Sequence, residues 1–150
     1  METQGIGTHV VTQIGLVVKD IQKSIDAYVD VLGLPRPEVI ITDGYDLAET
    51  NYRGKPSQAQ AKLAFFNMGQ VQIELIEPIG EPSTWKEALD ANGDGVHHIA
   101  FQIKDTGKVV AYLEGKGIPL VQQGKYTGGM YSYLDASQSL GLVLELLENF

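Results

Sequence analysis

The chain has 150 residues, of which 43% are hydrophobic and 20% charged, an ordinary balance for one globular domain. The formal net charge of −8 repels phosphate backbones and argues against a nucleic-acid partner. The chain has no cysteine, which excludes disulfides and thiolate metal sites. No apolar run approaches the roughly 18 residues of a membrane span, and the N-terminus lacks the features of a signal peptide. We therefore expect a cytoplasmic protein with no membrane partner.

The first half of the chain is predicted to form a strand, a helix and three further strands. Alternating apolar residues in 13–18 indicate a strand with one buried face. Asp20 is a preferred residue at a helix N-terminus, and apolar residues then recur at helical spacing up to Leu32. Gly33 and Pro35 end this helix. The three strands predicted after it are "EVII" (38–41), "KLAFFN" (62–67) and "QVQIELIE" (70–77).

A short helix is predicted in the linker 81–93, where we expect Trp85 to pack in the core. Beyond it, the second half repeats the first, because segment 98–113 aligns with segment 13–28. The aligned residues are Ile14 with Ile99, Lys19 with Lys104, Asp20 with Asp105, Lys23 with Lys108, and Glu74 with Glu145. The sequence therefore predicts one domain, residues 1–150, with an α+β fold of two βαβββ modules, about 9–78 and 94–149.

Strand alternation places four polar residues on one face of the predicted sheet. Apolar residues such as Ile14 and Ile99 face the helices, so the opposite face carries four polar side chains, Gln13, Glu74, His98 and Glu145. A pseudo-twofold axis between the modules would bring these four side chains together in a cleft. His97 is expected to face the helix layer or the rim.

Two carboxylates, an imidazole and an amide oxygen form a suitable ligand set for one divalent metal ion. Two crowded carboxylates repel each other, and a doubly charged cation cancels both charges. Four protein ligands leave positions open for water or substrate, as metal-assisted catalysis requires. The mixed oxygen and nitrogen set does not distinguish among cobalt, nickel, zinc, manganese and iron.

The segments that carry these residues resemble the vicinal oxygen chelate superfamily, which includes glyoxalase I, methylmalonyl-CoA epimerase, extradiol dioxygenases and antibiotic-resistance proteins. The resemblance rests on "QIGLVVKDIQKSIDAYVDVLGL", "MGQVQIELIEP", "GVHHIAFQIKD" and "LGLVLELLE". It implies a half-open barrel around a metal cleft, frequent homodimers, and metal ligands at Gln13, Glu74, His98 and Glu145. These ligands coincide with the four residues that strand alternation selects.

Two branches of the superfamily are the most similar. The motifs "MGQVQIELIEPIGEPS" and "GDGVHHIAF" resemble the methylmalonyl-CoA epimerase branch, whose typical first ligand is His rather than Gln13. The set Gln, Glu, His and Glu is the pattern of zinc-type glyoxalase I. The chain departs from the epimerase branch in segment 42–62, which is longer, and in "YLDASQSLG", which replaces an "HPK"-like stretch.

The proton-moving members of the superfamily share one reaction, the abstraction of a proton α to a carbonyl. In this chain the resemblance implies Glu145 as the base and Glu74 as the second catalytic group. The expected substrate is a small carbonyl or acyl compound. Candidate substrate-binding residues are Arg53, Lys55, Tyr126, Tyr131 and Tyr133. A metal-dependent epimerase or isomerase, a lactoylglutathione lyase of the glyoxalase I type, and a non-catalytic small-molecule binding protein all remain open.

Overall fold

The computed structural model describes residues 5–150, so residues 1–4 of the expected domain lie outside the described residues. The strands are β1 (Gln13–Val17), β2 (Ile40–Ile41), β3 (Asn51–Tyr52), β4 (Lys55–Pro56), β5 (Gln60–Asn67), β6 (Gln72–Ile79), β7 (Gly95–Gln102), β8 (Leu120–Tyr126), β9 (Gly129–Ala136) and β10 (Leu142–Asn149). The helices are α1 (Ile21–Leu32), α2 (Tyr45–Ala48), α3 (Thr84–Asn92) and α4 (Thr106–Gly115). None of these helices is long and apolar enough to cross a bilayer.

All ten strands form one mixed sheet in the order β2-β5-β6-β1-β7-β10-β9-β8-β3-β4. In each module the first strand pairs in parallel with the last, β1 with β6 and β7 with β10. The modules join where β1 and β7 pair antiparallel. Because both modules have the same internal strand order, a pseudo-twofold axis relates them at this junction. The expected α+β fold of two βαβββ modules, curled into a half-barrel, is confirmed.

The two module helices begin in the same way. The carboxylates of Asp20 and Asp105 accept hydrogen bonds from backbone N–H groups of the first turns of α1 and α4. A second carboxylate reaches each helix from the last strand of its module. Glu77 accepts from the first N–H of α1 at 2.9 Å, and Glu148 accepts from the first N–H of α4 at 2.9 Å. The aligned segments "IELIE" and "LELLE" therefore share a helix-capping carboxylate as well as Glu74 and Glu145.

The helices cover the face of the sheet that strand alternation predicts. Helix α1 packs on a cluster that includes Leu16, Val18 and Leu75, and α4 packs on the equivalent cluster around Leu144 and Leu146. The opposite face carries a third cluster, which lies under α3 and contains Val17, Ala61, Ile76, Trp85, Val121 and Tyr133. Trp85 is 4% exposed, as core packing requires. The face opposite α1 and α4, which we call the cleft face, is therefore partly closed by α3.

A β-bulge interrupts the junction of the modules. Gly15 lies opposite His98, but Leu16 lies opposite Val96, so His97 is the extra residue. A bulge brings successive side chains toward one side, and the Nδ1 atoms of His97 and His98 lie 2.8 Å apart. The expectation that His97 faces the helix layer or the rim is therefore wrong, because strict alternation fails at the bulge.

Segment 42–62 crosses from one module to the other. It contains α2, β3 and β4, and β3 pairs antiparallel with β8 of the second module, Asn51 opposite Gln123. No strand was predicted from the sequence between "EVII" (38–41) and "KLAFFN" (62–67). The pairing is long-range, so the local pattern of a two-residue strand carries no signal for it.

Candidate metal centre and substrate cavity

Four polar side chains converge on the cleft face, one from each of the four strands around the pseudo-twofold axis. Gln13, Glu74, His98 and Glu145, on β1, β6, β7 and β10, are between 0% and 8% exposed. The Nε2 atom of His98 lies 3.0 Å from Gln13 Oε1, 3.4 Å from Glu74 Oε1 and 3.1 Å from Glu145 Oε1. The structure thus brings together, within a single chain, the four residues selected from the sequence.

These spacings fit a bound cation. Two atoms bonded to one ion at about 2.1 Å lie about 3.0–3.4 Å apart at octahedral or tetrahedral angles. The end of the Gln13 amide that faces the cluster lies 3.0 Å from Glu145 Oε1 and 3.2 Å from Glu74 Oε1. One ligand atom each from Glu74, His98 and Glu145 lies within 4.8 Å of the other two. Carboxylate, imidazole and amide oxygen donors are an appropriate set for a divalent transition metal.

The amide of Gln13 has two orientations with different consequences. Its Nε2 donates to Gln72 Oε1 at 2.9 Å, which turns Oε1 toward the carboxylates and the imidazole. A cation stabilises this orientation because Gln13 Oε1 and the carboxylate oxygens otherwise present only lone pairs to one another. Turned by 180°, the amide would instead donate to both carboxylates, and to His98 Nε2 only where that nitrogen carries no hydrogen. The unturned Gln13 amide therefore suits a cluster that holds a metal cation or a protonated His98.

The buried charges are strongly coupled. Burial by itself lowers the pKa of His98, but the charges of Glu145 and Glu74 and their hydrogen bonds outweigh it and raise the pKa to about 10. Burial raises the pKa of Glu74; the hydrogen bond from His98 opposes this effect and the charge of Glu145 reinforces it. Without a metal the cluster thus retains a proton on His98, in the position where a cation would neutralise the carboxylates.

A second histidine orients the first. His97 Nε2 lies 3.2 Å from Thr84 Oγ1 at the start of α3. Burial, followed by the charge of His98, holds the pKa of His97 well below its usual range, so this ring is neutral. We assign the proton of His98 Nδ1 to the bond with His97 Nδ1, and that of His97 Nε2 to Thr84. This chain leaves His98 Nε2 directed at the cluster, as an outer partner of a metal-binding histidine does.

The imidazole of His98 lies directly over Gly15. A Cβ atom at residue 15 would stand 2.0 Å from Cε1 of His98 and 2.5 Å from each ring nitrogen. Glycine within a strand often marks such a close approach. Gly15 is therefore a requirement of the site that the repeat alignment did not single out.

Three residues of the cluster, Gln13, Glu74 and Glu145, line a cavity of about 540 Å³, a volume typical of small-molecule sites. Near the cluster its wall is aromatic, with Trp85, Tyr131 and Tyr133. The indole Nε1–H of Trp85 donates to the hydroxyl of Tyr133 at 3.0 Å. Burial, followed by the charges of Glu145 and Glu74, raises the pKa of Tyr133 well above its usual value, so its hydroxyl keeps a proton.

The candidate substrate-binding residues separate into two groups. Tyr126, Tyr131 and Tyr133 all line the cavity. Arg53 and Lys55 do not: Arg53 forms an ion pair with Glu87 at 2.9 Å, and Lys55 is exposed on β4. The structure therefore gives no support to charge supplied by Arg53 or Lys55, because segment 42–62 turns both away from the cavity.

Several lining residues were missed by sequence reasoning. Lys125, at the end of β8, is the one cationic lining residue among the described residues, and Ile40 and Ile41 form an apolar wall. Trp85 was assigned to the core alone, although it also lines the cavity. None of these lining positions had a usable signal in the sequence, because they depend on how the sheet curls. Gly15, which lies against His98, did have one, since it is a glycine within an otherwise apolar strand.

Comparison with known proteins agrees with this geometry. A model of the glyoxalase/bleomycin resistance protein/dioxygenase superfamily matches residues 12–133. The chain belongs to this superfamily, as its sequence motifs implied.

Two relatives are similar to the chain in sequence. The chain is 30% identical over 95 residues to the uncharacterised protein YqjC of Bacillus subtilis, covering 61% of this chain and 67% of that protein. It is 26% identical over 106 residues to mouse mitochondrial methylmalonyl-CoA epimerase, covering 70% of this chain but only 52% of that protein.

Methylmalonyl-CoA epimerases also share the fold. That of Mycobacterium tuberculosis superposes with a TM-score of 0.66 at 22% identity, over 100% of this chain and 93% of that one. A variant of the Streptomyces coelicolor enzyme in complex with 2-nitronate-propionyl-CoA gives 0.63 at 23% identity, over 93% of each chain. At these identities the structures establish the fold and leave the reaction to be argued from the site.

Proposed function

We propose that this protein is a divalent-metal-dependent epimerase or isomerase that abstracts a proton α to a carbonyl. The observation that carries the proposal is the buried convergence of Gln13, Glu74, His98 and Glu145, the first, second and fourth of which line an apolar cavity. Burial of four polar side chains costs solvation free energy unless a counter-charge compensates it. Such clusters of buried polar groups are typical of functional sites. The resemblance to methylmalonyl-CoA epimerases supports the same reaction class.

Gln13, Glu74, His98 and Glu145 are the residues that would hold the metal, one ion per site, with cobalt, nickel, zinc, manganese and iron as candidates. A divalent cation there supplies Lewis-acid stabilisation of the negative charge that a carbonyl oxygen gains when the α-proton leaves. Glu145 accepts that proton, and Glu74, its pseudo-symmetric counterpart, returns a proton from the other side. Two such carboxylates are what inversion at one carbon requires.

The neighbouring aromatic residues suit the same chemistry. The protonated hydroxyl of Tyr133 receives the Trp85 N–H and retains its own hydrogen, which can be donated to a substrate oxygen. Its apolar surroundings exclude water and strengthen that hydrogen bond. Structural neighbours include an epimerase in complex with methylmalonyl-CoA, so α-branched acyl thioesters are the first substrates to test. The cytoplasmic location and the homodimer stay predictions.

One observation favours a second candidate function. The first ligand position is Gln13 rather than histidine, as in zinc-type glyoxalase I, so a lactoylglutathione lyase activity on a hemithioacetal is the alternative. That reaction uses the same two carboxylates to move a proton between adjacent carbons. Formation of a thioester from methylglyoxal and glutathione, without α-proton exchange on acyl thioesters, would favour the lyase.

Elemental analysis tests the metal site. We expect about one divalent ion per chain after purification or reconstitution, and loss of that ion in His98→Ala. The matched control is His9→Ala, because His9 is an exposed histidine that is not one of the four proposed ligands. Absence of metal from the wild-type protein, after reconstitution with cobalt, nickel, zinc or manganese, would leave a non-catalytic binding protein.

Exchange of the α-proton in heavy water tests the reaction. We expect incorporation of deuterium into an α-branched acyl thioester by the wild-type protein and a loss of at least 100-fold in Glu145→Gln, in line with removal of a general base. Glu38→Gln, at an exposed glutamate, serves as the control. Exchange at the wild-type rate in Glu145→Gln would refute the assignment of the base.

A further inference from the structure

We propose that the cavity recognises an uncharged apolar group of the substrate and that it makes no productive contact with a phosphate-bearing carrier. This inference rests on the proposed function and narrows its substrate class. The substrate is then a carbonyl or acyl compound whose affinity comes from its apolar part, with any nucleotide carrier adding nothing.

Beyond the four proposed ligands, both modules contribute apolar residues to the wall of the cavity. Module one contributes Ile40, Ile41, Leu63 and Phe65, and module two contributes Leu147 at the facing position of β10. Ile40 and Ile41 remain 50% and 57% exposed. Large apolar residues left accessible around a concave site indicate contact with an apolar ligand.

The charges of the lining residues do not favour phosphate binding. Once a divalent cation neutralises Glu74 and Glu145, the acidic group that remains is Asp43, and Lys125 is the single cation among the described lining residues. The ammonium of Lys125 is already paired with the carboxylate of Glu49. Proteins hold phosphates with free arginine or lysine side chains, and this lining offers none.

Two of the tyrosines in the lining are hydrogen-bonded within the protein. The hydroxyl of Tyr126 donates to Asn149 Oδ1 at 2.7 Å, and that of Tyr131 accepts from Gln122 at 3.0 Å. The hydrogen of Tyr126 is therefore used, and neutral hydroxyl and amide groups without a free cation replace the solvation of a phosphate only in part.

Trp85 supplies the measurement, because it is the single tryptophan of the chain and lines the cavity. Its fluorescence is titrated, in the zinc-loaded full chain, with two thioesters of 2-methylbutanoic acid, one of N-acetylcysteamine and one of coenzyme A. Adenosine 3′,5′-bisphosphate is the third probe. The two thioesters share the acyl group and the thioester and differ in the phosphates.

We expect both thioesters to quench the fluorescence with Kd values within about two-fold of each other, and the bisphosphate to displace neither. A coenzyme A thioester that binds more than ten-fold tighter, or displacement by the bisphosphate, would overturn the proposal. So would the failure of both thioesters to bind, since the apolar walls would then have another role.

The variant Glu49→Gln tests the charge argument. Removing the carboxylate frees Lys125, so the affinity for the coenzyme A thioester should rise several-fold at low salt while that for the N-acetylcysteamine thioester stays unchanged. An equal change for both, or none, would contradict neutralisation of Lys125 by Glu49.

Failure of this inference and failure of the proposed function give different results. Binding of both thioesters without α-proton exchange would refute the function and leave the inference standing. Exchange on the coenzyme A thioester alone would confirm the function and refute the inference.

Discussion

Replacement of Gly15 by alanine is the most direct perturbation of the site that removes no polar side chain. The added methyl group would stand 2.0 Å from Cε1 of His98, whereas non-bonded carbon atoms rest about 3.5–4.0 Å apart. The imidazole, which is fully buried, must retreat by about 1.5 Å or more. It cannot do so and keep both its 2.8 Å bond to His97 and its 3.0–3.4 Å spacing to the other three ligands.

The cost follows from these distances. Overpacking in a buried site typically costs 1–3 kcal/mol, and leaving a buried hydrogen-bonding group unpaired costs about 1–3 kcal/mol. We therefore expect Gly15→Ala to lower the free energy of unfolding by about 2–6 kcal/mol. Metal ligands tolerate displacements of about 0.2 Å, and loss of an outer partner alone weakens binding 10–100-fold. A ligand displaced by more than 1 Å should weaken metal binding at least about 100-fold.

Urea denaturation of the metal-free protein measures the stability, and titration calorimetry measures the affinity for zinc. Gly95→Ala is the matched control, since Gly95 lies on the same strand as His98 and a Cβ there meets no atom within 4 Å. This control should stay within about 1 kcal/mol of the wild type. If Gly15→Ala keeps wild-type zinc affinity and stability, the close approach of His98 to β1 is wrong.

Three further changes probe the supports of the site. The pKa of Glu148 is lowered by its hydrogen bonds from Thr106, so its stabilising effect exists above the unfolded pKa of about 4.3 and is lost in acid. The difference in unfolding free energy between wild type and Glu148→Gln should therefore shrink as pH falls from 7 to 3, and a constant difference would contradict this. His97→Phe removes the partner of His98 Nδ1 and should weaken zinc binding 10–100-fold by calorimetry, with an unchanged affinity counting against the orienting role. Tyr133→Phe leaves the buried Trp85 N–H without an acceptor and should cost about 1–3 kcal/mol in urea denaturation, whereas a neutral result would show that water replaces the hydroxyl.

The residues proposed as ligands could be selected from the sequence because two local regularities agree. Strand alternation and the internal repeat each place Glu74 and Glu145 at equivalent positions on one face. His98 is aligned with Gln13 by the same repeat. Both regularities are read from the order of residues along the chain, so they require no knowledge of how the strands pair.

Features that depend on which strands pair could not be predicted from these regularities. The side of the sheet on which His97 lies is set by a bulge opposite Gly15, and a bulge belongs to two strands at once. Likewise, Arg53 faces Glu87 rather than the cavity because β3 pairs with β8. Neither outcome leaves a trace in the residues immediately around it.

The sequence by itself determined the βαβββ modules, the helix ends at Asp20 and Asp105, and the face that carries the polar residues, since each follows from local spacing and capping. Only the tertiary structure decided that the four side chains meet in one chain at 3.0–3.4 Å, and that apolar walls and a neutralised Lys125 surround them. Those distances are set by the antiparallel junction of β1 with β7 and by the curl of the sheet. Both features depend on contacts between segments that are distant in sequence.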